Sequence, residues 1–272
     1  MKQKINELLS NVAEEYNIKI LFCVESGSRS WGMESKDSDY DVRFVFYREP
    51  KEYVLINPKK EVINVSFDKD FNKCQPEGCF IDMQGFDLIK FSKMLSSSNP
   101  TVIEWLNSDI LYCGEKPKEY VKFAKELFNF MSLYYHYKSM GKQNYIKYIK
   151  PQSYLTSPKK YLYTCRGIIC ALYVKEYLEL PKIKFQDTLL KLYNDNKFDE
   201  EVYRLLIKII ENKRSQKEKH TIENIKVLDN FIETQLKIDE APNKRHFHLP
   251  EYFNDVIIKY IFNKGYKDEN TG

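Results

Sequence analysis

The chain has 272 residues, 43% hydrophobic and 30% charged, with 43 Lys and Arg against 39 Asp and Glu for a formal charge of +4. That balance is that of an ordinary soluble protein rather than a disordered one, and the length predicts about two domains. The mild positive charge permits an anionic substrate without demanding one.

Ile5, Leu8, Leu9 and Val12 fall at helical spacing and predict an amphipathic helix that packs on a sheet beginning at Ile18. The strand-like run Ile18 to Val24 leads straight into Glu25-Ser26-Gly27-Ser28, and ten residues later Asp39-Tyr40-Asp41 opens a second apolar strand ending at Tyr47. The apolar triplet Val54-Leu55-Ile56, a strand over Val62–Phe67 and a short strand around Asp82 follow. Gly85 then precedes a helical pattern through Leu88 and Leu95. Asn99-Pro100 reads as a helix start, with Val102, Trp105 and Leu106 supplying its apolar face. These elements predict an α+β fold, with a small mixed-sheet domain over residues 1–112.

From about Gly114 helical periodicity takes over, and residues 113–272 are expected to form an all-helical carboxyl-terminal domain. The predicted helices run Val121 to Tyr137, Tyr161 to Leu178, Phe185 to Tyr193, Val202 to Ile210, Ile222 to Leu236 and Tyr252 to Phe262, separated by Pro151, Pro158, Pro181 and Pro250. The tail from Lys264 is polar and reads as frayed. Six cysteines occur without a C-x-x-C pair or a zinc-type ligand set and are expected to be reduced, with Cys165 and Cys170 packed in an apolar helical run. The amino-terminal segment lacks the apolar core of a signal peptide, and no apolar run approaches the ~20 residues of a membrane span. A cytoplasmic location away from membranes is the expectation. The 21 tyrosines could stack on bases beside lysines, but core packing is the plainer reading.

The chemistry concentrates in Gly27-Ser28 and Asp39-x-Asp41. Side chains two apart on a strand share a face, so Asp39 and Asp41 project together. Gly27 allows backbone to approach a ligand closely, and the Ser28 hydroxyl can bind phosphate oxygens. Mg²⁺ needs only one or two carboxylates plus substrate phosphates, and two such ions can stabilise attacking and leaving oxygens of an in-line displacement. Asp37, set in Lys36-Asp37-Ser38, reads as turn chemistry.

Gly27-Ser28, the ten-residue spacer and Asp39-x-Asp41 resemble the signature of the DNA polymerase beta-like nucleotidyltransferase superfamily. The string from Gly27 to Phe44, with Gly85-Phe86-Asp87-Leu88, Ser98-Asn99-Pro100 and Glu104-Trp105-Leu106, is similar to its RNA-repair-pathway polymerase beta family. The resemblance implies transfer of a nucleoside monophosphate from a nucleoside triphosphate to an acceptor hydroxyl, with release of pyrophosphate. Asp39 and Asp41 would bind Mg²⁺ or Mn²⁺, and Gly27, Ser28 and Arg29 would hold the triphosphate. It also implies a third acid on a neighbouring strand, sharing one metal. Asp82 sits between apolar residues, where an unpaired charge is costly, whereas Asp68 opens a polar run with Asp70, Asn72 and Lys73. Asp82 is therefore the preferred third acid and Asp68 the start of a loop.

The resemblance further implies that basic residues of the helical half line the cleft facing the metal site, and Lys142, Lys160 and Arg166 are the candidate substrate contacts there. A lysine on a helix face is more often simply solvated, but Arg166 lies among apolar neighbours and needs a partner. Arg214 and His220 have the spacing of a small helical ribonuclease motif but read as a solvated turn. His246 and His248 lack a third ligand and read as loop. The acceptor implied is an RNA end. Two alternatives are a protein acceptor, as in toxin–antitoxin nucleotidyltransferases, and a non-catalytic nucleotide- or RNA-binding module.

Overall fold

A computed structural model describes residues 1–151, 155–215, 222–238, 240–242 and 250–262. Helix α1 (Lys2–Tyr16) precedes β1 (Lys19–Ser26), a one-turn helix α2 (Gly27–Ser30), β2 (Tyr40–Tyr47), β3 (Val62–Phe67), β4 (Lys73–Cys74) and β5 (Ile81–Asp87). Helices α3 (Leu88–Ser96) and α4 (Pro100–Asn107) follow, and then β6 (Leu111–Gly114) closes the sheet in the order β4-β3-β5-β2-β1-β6. Only β2 and β5 pair in parallel; the remaining pairs are antiparallel, so the sheet is mixed.

Alternation along the strands decides which face sees what. Val42, Phe44 and Phe46 of β2 and Ile81 and Met83 of β5 join Ile5, Leu8, Leu9 and Val12 of α1 in one buried cluster. The predicted α1 face is therefore the face that packs. The intervening residues of those strands point the other way, toward α3, α4 and the helical half. Phe22, Val24, Val45 and Phe86 meet Trp105, Tyr134, Cys170 and Val256 there in a second cluster. This cluster joins the sheet to helices on both sides of residue 112, and β6 itself runs across that point.

The helical half contains α5 (Lys118–Lys122), α6 (Phe130–Asn144), α7 (Pro158–Tyr177), α8 (Phe185–Asn194), α9 (Glu200–Ser215), α10 (Lys226–Lys237) and α11 (Asn254–Phe262). The helix expected over Val121 to Tyr137 is in fact broken: a π-turn at Phe123–Leu127 ends the first part, and Asn129 caps α6 through the Ser132 N–H at 3.1 Å. The helix expected from Ile222 begins at Lys226. Ile222–Glu223 instead forms a two-residue strand, β8, paired with β7 (Leu155–Thr156). Gly85 lies in β5, and the helical pattern expected after it is α3, which Asp87 caps through the Ile89 N–H at 2.9 Å. Val54, the last residue of a 3₁₀ turn (Pro50–Val54), and Ile56 just beyond it are exposed. Helices α6 and α7 cross at Gly141 and Gly167; a Cβ on Gly167 would lie 2.7 Å from the Gly141 nitrogen, so only glycine permits that approach. His220, His246, His248 and the tail from Lys264 lie outside the described residues.

Candidate active site

The parallel pairing of β2 with β5 sets Asp41 directly opposite Asp82 in Cα register, and Arg43 opposite Gln84. Adjacent strands lie ~4.8 Å apart, so the two carboxylates share one spot on the sheet face turned toward the helices. Arg43, two residues beyond Asp41 and on the same face, bridges them: its Nη2 donates to Asp41 Oδ1 at 2.7 Å and forms an ion pair with Asp82 Oδ2 at 2.9 Å. The Ser66 hydroxyl, opposite Asp82 on β3, donates to Asp82 Oδ1 at 3.4 Å. Asp68 is elsewhere. Its Oδ1 accepts from the Asp70 and Asn72 N–H groups, at 2.9 and 2.8 Å, and closes a turn.

Gly27 lies against Asp41. Its φ is +63°, and a Cβ built there would fall 1.8 Å from Asp41 Oδ2. Both the left-handed backbone and the close approach require glycine. Ser28 is buried in the same turn. Arg29, expected on phosphate, is turned inward: Nε donates to the Asp39 carbonyl at 3.0 Å, Nη2 reaches the Ser38 carbonyl, and the guanidinium stacks 3.9 Å from the Tyr40 ring centre. It anchors the approach to β2. Asp39 lies just before that strand, near enough for its charge to act on Asp41.

Behind the acids sits a residue that the sequence reading passed over. Glu25, at the end of β1, is buried; its Oε1 accepts from the Asp41 N–H at 2.9 Å and its Oε2 accepts from the Tyr112 hydroxyl. Burial raises its pKa to about 7, against the opposing effect of these two hydrogen bonds. Burial also raises the Asp41 carboxyl, with Arg43 pulling it back and Asp39 and Asp82 pushing further up.

A cavity of about 290 Å³ opens beside this pair, lined by Gly27, Trp31, Asp41, Arg43, Gln84 and Tyr163 among others. Its far wall is built around Glu104 of α4. Glu104 Oε1 accepts from Arg166 Nη2 at 2.6 Å and from the Tyr137 hydroxyl at 2.7 Å, while Oε2 accepts from Trp31 Nε1 at 3.0 Å. The Arg166 guanidinium lies 3.8 Å from the Trp31 ring centre. Arg166 thus has the partner that its apolar surroundings demanded, and it braces the wall from behind. Lys142 is exposed, and Lys160 sits 3.6 Å over the Tyr148 ring; neither is among the residues lining this cavity. Arg214 is exposed as expected, though on the end of α9 rather than in a turn, and it donates to the Gly32 carbonyl at 2.8 Å, while the buried Lys213 donates to the Met33 carbonyl at 2.6 Å. The end of α9 therefore grips the loop that follows the Gly-Ser turn.

Among the described residues, no three His, Cys, Asp or Glu side chains are gathered closely enough to hold a metal ion on their own. The structure brings Asp41 and Asp82 together and leaves Asp39 outside such a cluster. A pair of carboxylates that already embraces a cation, beside a cavity with room for phosphates, still fits Mg²⁺, which takes one or two carboxylates and completes its shell with substrate oxygens and water.

Two features could have exposed the missed residues: a glutamate ending an otherwise apolar strand, and an arginine two positions after Asp41 on a buried strand. A mixed sheet whose Gly-Ser turn backs an acid pair on its central strands is the arrangement of a polymerase beta-like nucleotidyltransferase. Residues 1–254 match the RNA repair pathway DNA polymerase beta family, and the chain belongs to it. It is 32% identical over 239 residues to the uncharacterized protein YcgL of Bacillus subtilis (strain 168), covering 87% of this chain and 86% of that one. It is also similar to the crystal structure of a nucleotidyltransferase-like protein from Exiguobacterium sibiricum 255-15. That likeness has 11% identity and a TM-score of 0.30, over 95% of this chain and 80% of the other. Among the described residues no helix is long and apolar enough to cross a membrane.

Proposed function

We propose that this chain transfers a nucleoside monophosphate from a nucleoside triphosphate to an acceptor hydroxyl, an RNA end being the acceptor class that its family name suggests. The observation that carries this reading is the in-register pair Asp41 and Asp82, with Gly27 held against Asp41. Asp41 and Asp82 would hold a divalent cation, Mg²⁺ or Mn²⁺, with Asp39 beside them at the strand start. Such an ion would supply charge neutralisation for the phosphates and a lowered pKa for the attacking hydroxyl. Gly27 and Ser28 would form the floor under the triphosphate, and Glu25 fixes the Asp41 backbone so that its carboxylate faces the cavity. The Trp31, Glu104 and Arg166 wall keeps the helical half docked over the turn and gives that half its part in choosing the acceptor.

The reaction is tested by incubating the full chain with each alpha-labelled nucleoside triphosphate, Mn²⁺ or Mg²⁺, and either total RNA or lysate protein. Label should pass to RNA, and Asp41→Asn or Asp82→Asn should abolish the transfer. Label on protein instead would change the acceptor. Undiminished labelling by both variants would overturn the acid assignment.

A further inference from the structure

We propose that Arg43 is the resident counter-cation of the acid pair, and that a divalent ion enters this site by displacing its guanidinium. This rests on the reading above that Asp41 and Asp82 take such an ion. The guanidinium is seated, not swinging: besides the Nη2 hydrogen bond to Asp41 and the Nη2 ion pair with Asp82, its Nη1 donates to the Asp82 carbonyl at 2.8 Å and to the Val42 carbonyl at 3.2 Å. The Arg43 side chain is 14% exposed, against 21% for Asp41 and 31% for Asp82, so water screens the three charges weakly.

Both carboxylates turn one oxygen to the same guanidinium nitrogen, so the residues that would hold a divalent ion already hold a cation. Two cations in one partly dry gap repel each other, so the guanidinium and the ion exclude one another. In the resting chain Arg43 relieves the repulsion between two acids that the strand register forces together. Arg43 lines the cavity together with Gln84 and Thr101, so a displaced guanidinium would remain within reach of an anion held there. Arg43 is thereby a positioning residue. It makes metal binding weak when the ion comes alone and stronger when it comes with polyphosphate.

The test is Mn²⁺ binding by the full chain, followed by calorimetry and by the electron paramagnetic resonance of free Mn²⁺, for wild type, R43M, R43K and D41N. R43M should bind Mn²⁺ about tenfold or more tightly than wild type. R43K, with a compact ammonium that cannot make the same fork of bonds, should fall between them. A merely structural role for Arg43 would weaken metal binding or leave it unchanged. Equal or weaker affinity in R43M, with binding still lost in D41N, would overturn this inference while leaving the metal reading intact. Failure of wild type and R43M alike to bind Mn²⁺ would overturn both. Should R43M fold poorly, thermal melts of R43K decide: Mn²⁺ should raise its melting temperature more than that of wild type, and an equal or smaller rise counts against displacement.

Discussion

Replacing Glu25 with glutamine isolates the charge of the carboxyl behind Asp41 while preserving its shape. The side-chain oxygen of glutamine can still accept from the Asp41 N–H, and its amide can donate to the Tyr112 oxygen. A carboxyl whose folded pKa exceeds its unfolded value holds its proton more tightly in the folded chain. Its stabilising contribution is therefore complete below the unfolded pKa and is lost as pH rises through the folded one. For Glu25 that window runs from the ordinary 4.5 up to about 7. Between about pH 5 and about pH 8 the wild-type chain should lose about 2.5 kcal/mol on this account, and the Glu25→Gln variant should not. The other raised carboxyls, Asp41, Asp87 and Asp229, titrate in both proteins and largely cancel in the difference. Urea unfolding of both proteins at the two pH values measures it directly. Parallel pH profiles for wild type and variant would refute the assignment of a buried, proton-holding Glu25.

Three further outcomes follow from the same geometry. Gly27→Ala places a methyl group on the Asp41 carboxylate and forces a non-glycine residue to positive φ, so it should cost about 1–3 kcal/mol in thermal unfolding and cut labelling at least tenfold; wild-type labelling would show that the turn has room. Arg166→Met leaves Glu104 buried without its cation and should destabilise by about 3–5 kcal/mol, with part of that loss recovered in the Arg166→Met, Glu104→Gln double variant; a strictly additive cycle would mean the two do not interact. Asp68→Asn keeps an acceptor for both turn N–H groups and should shift stability by less than about 0.5 kcal/mol with labelling unchanged, whereas lost labelling would make Asp68 the third acid.

The elements that were legible in the sequence are those whose apolar period is unbroken. The α1 face, the runs of β1 and β2 and the start of α4 were marked by spacing and by capping residues at the places where the fold has them. The break at Phe128 was hidden because the residues on both sides keep helical spacing, and only Asn129 hints at a new start. Strand β6 was hidden because four residues carry too short an alternation to register. At the site, the Gly-Ser turn and the acids were visible as motifs. What no local pattern reveals is partnership across the chain. Glu25 meets Asp41 and Tyr112, Glu104 meets Trp31 and Arg166, and Lys213 reaches back to Met33, each across a separation that the sequence alone does not close.

The parallel register of β2 and β5 has a consequence for how the acid pair can be damaged. Asp41 and Asp82 stand opposite each other only because Val42, Phe44, Ile81 and Met83 hold the two strands against α1 on the reverse side of the sheet. A slip of one residue would turn Asp82 to that reverse side and bring Ile81 or Met83 to the acid face. The spacing of the two carboxylates is thus inherited from hydrocarbon packing on the face of the sheet opposite the acids. Alterations to α1, such as a smaller side chain at Leu8 or Leu9, act on the acids as surely as a change beside them. Heritable loss of activity in this chain should accordingly map to both faces of the sheet.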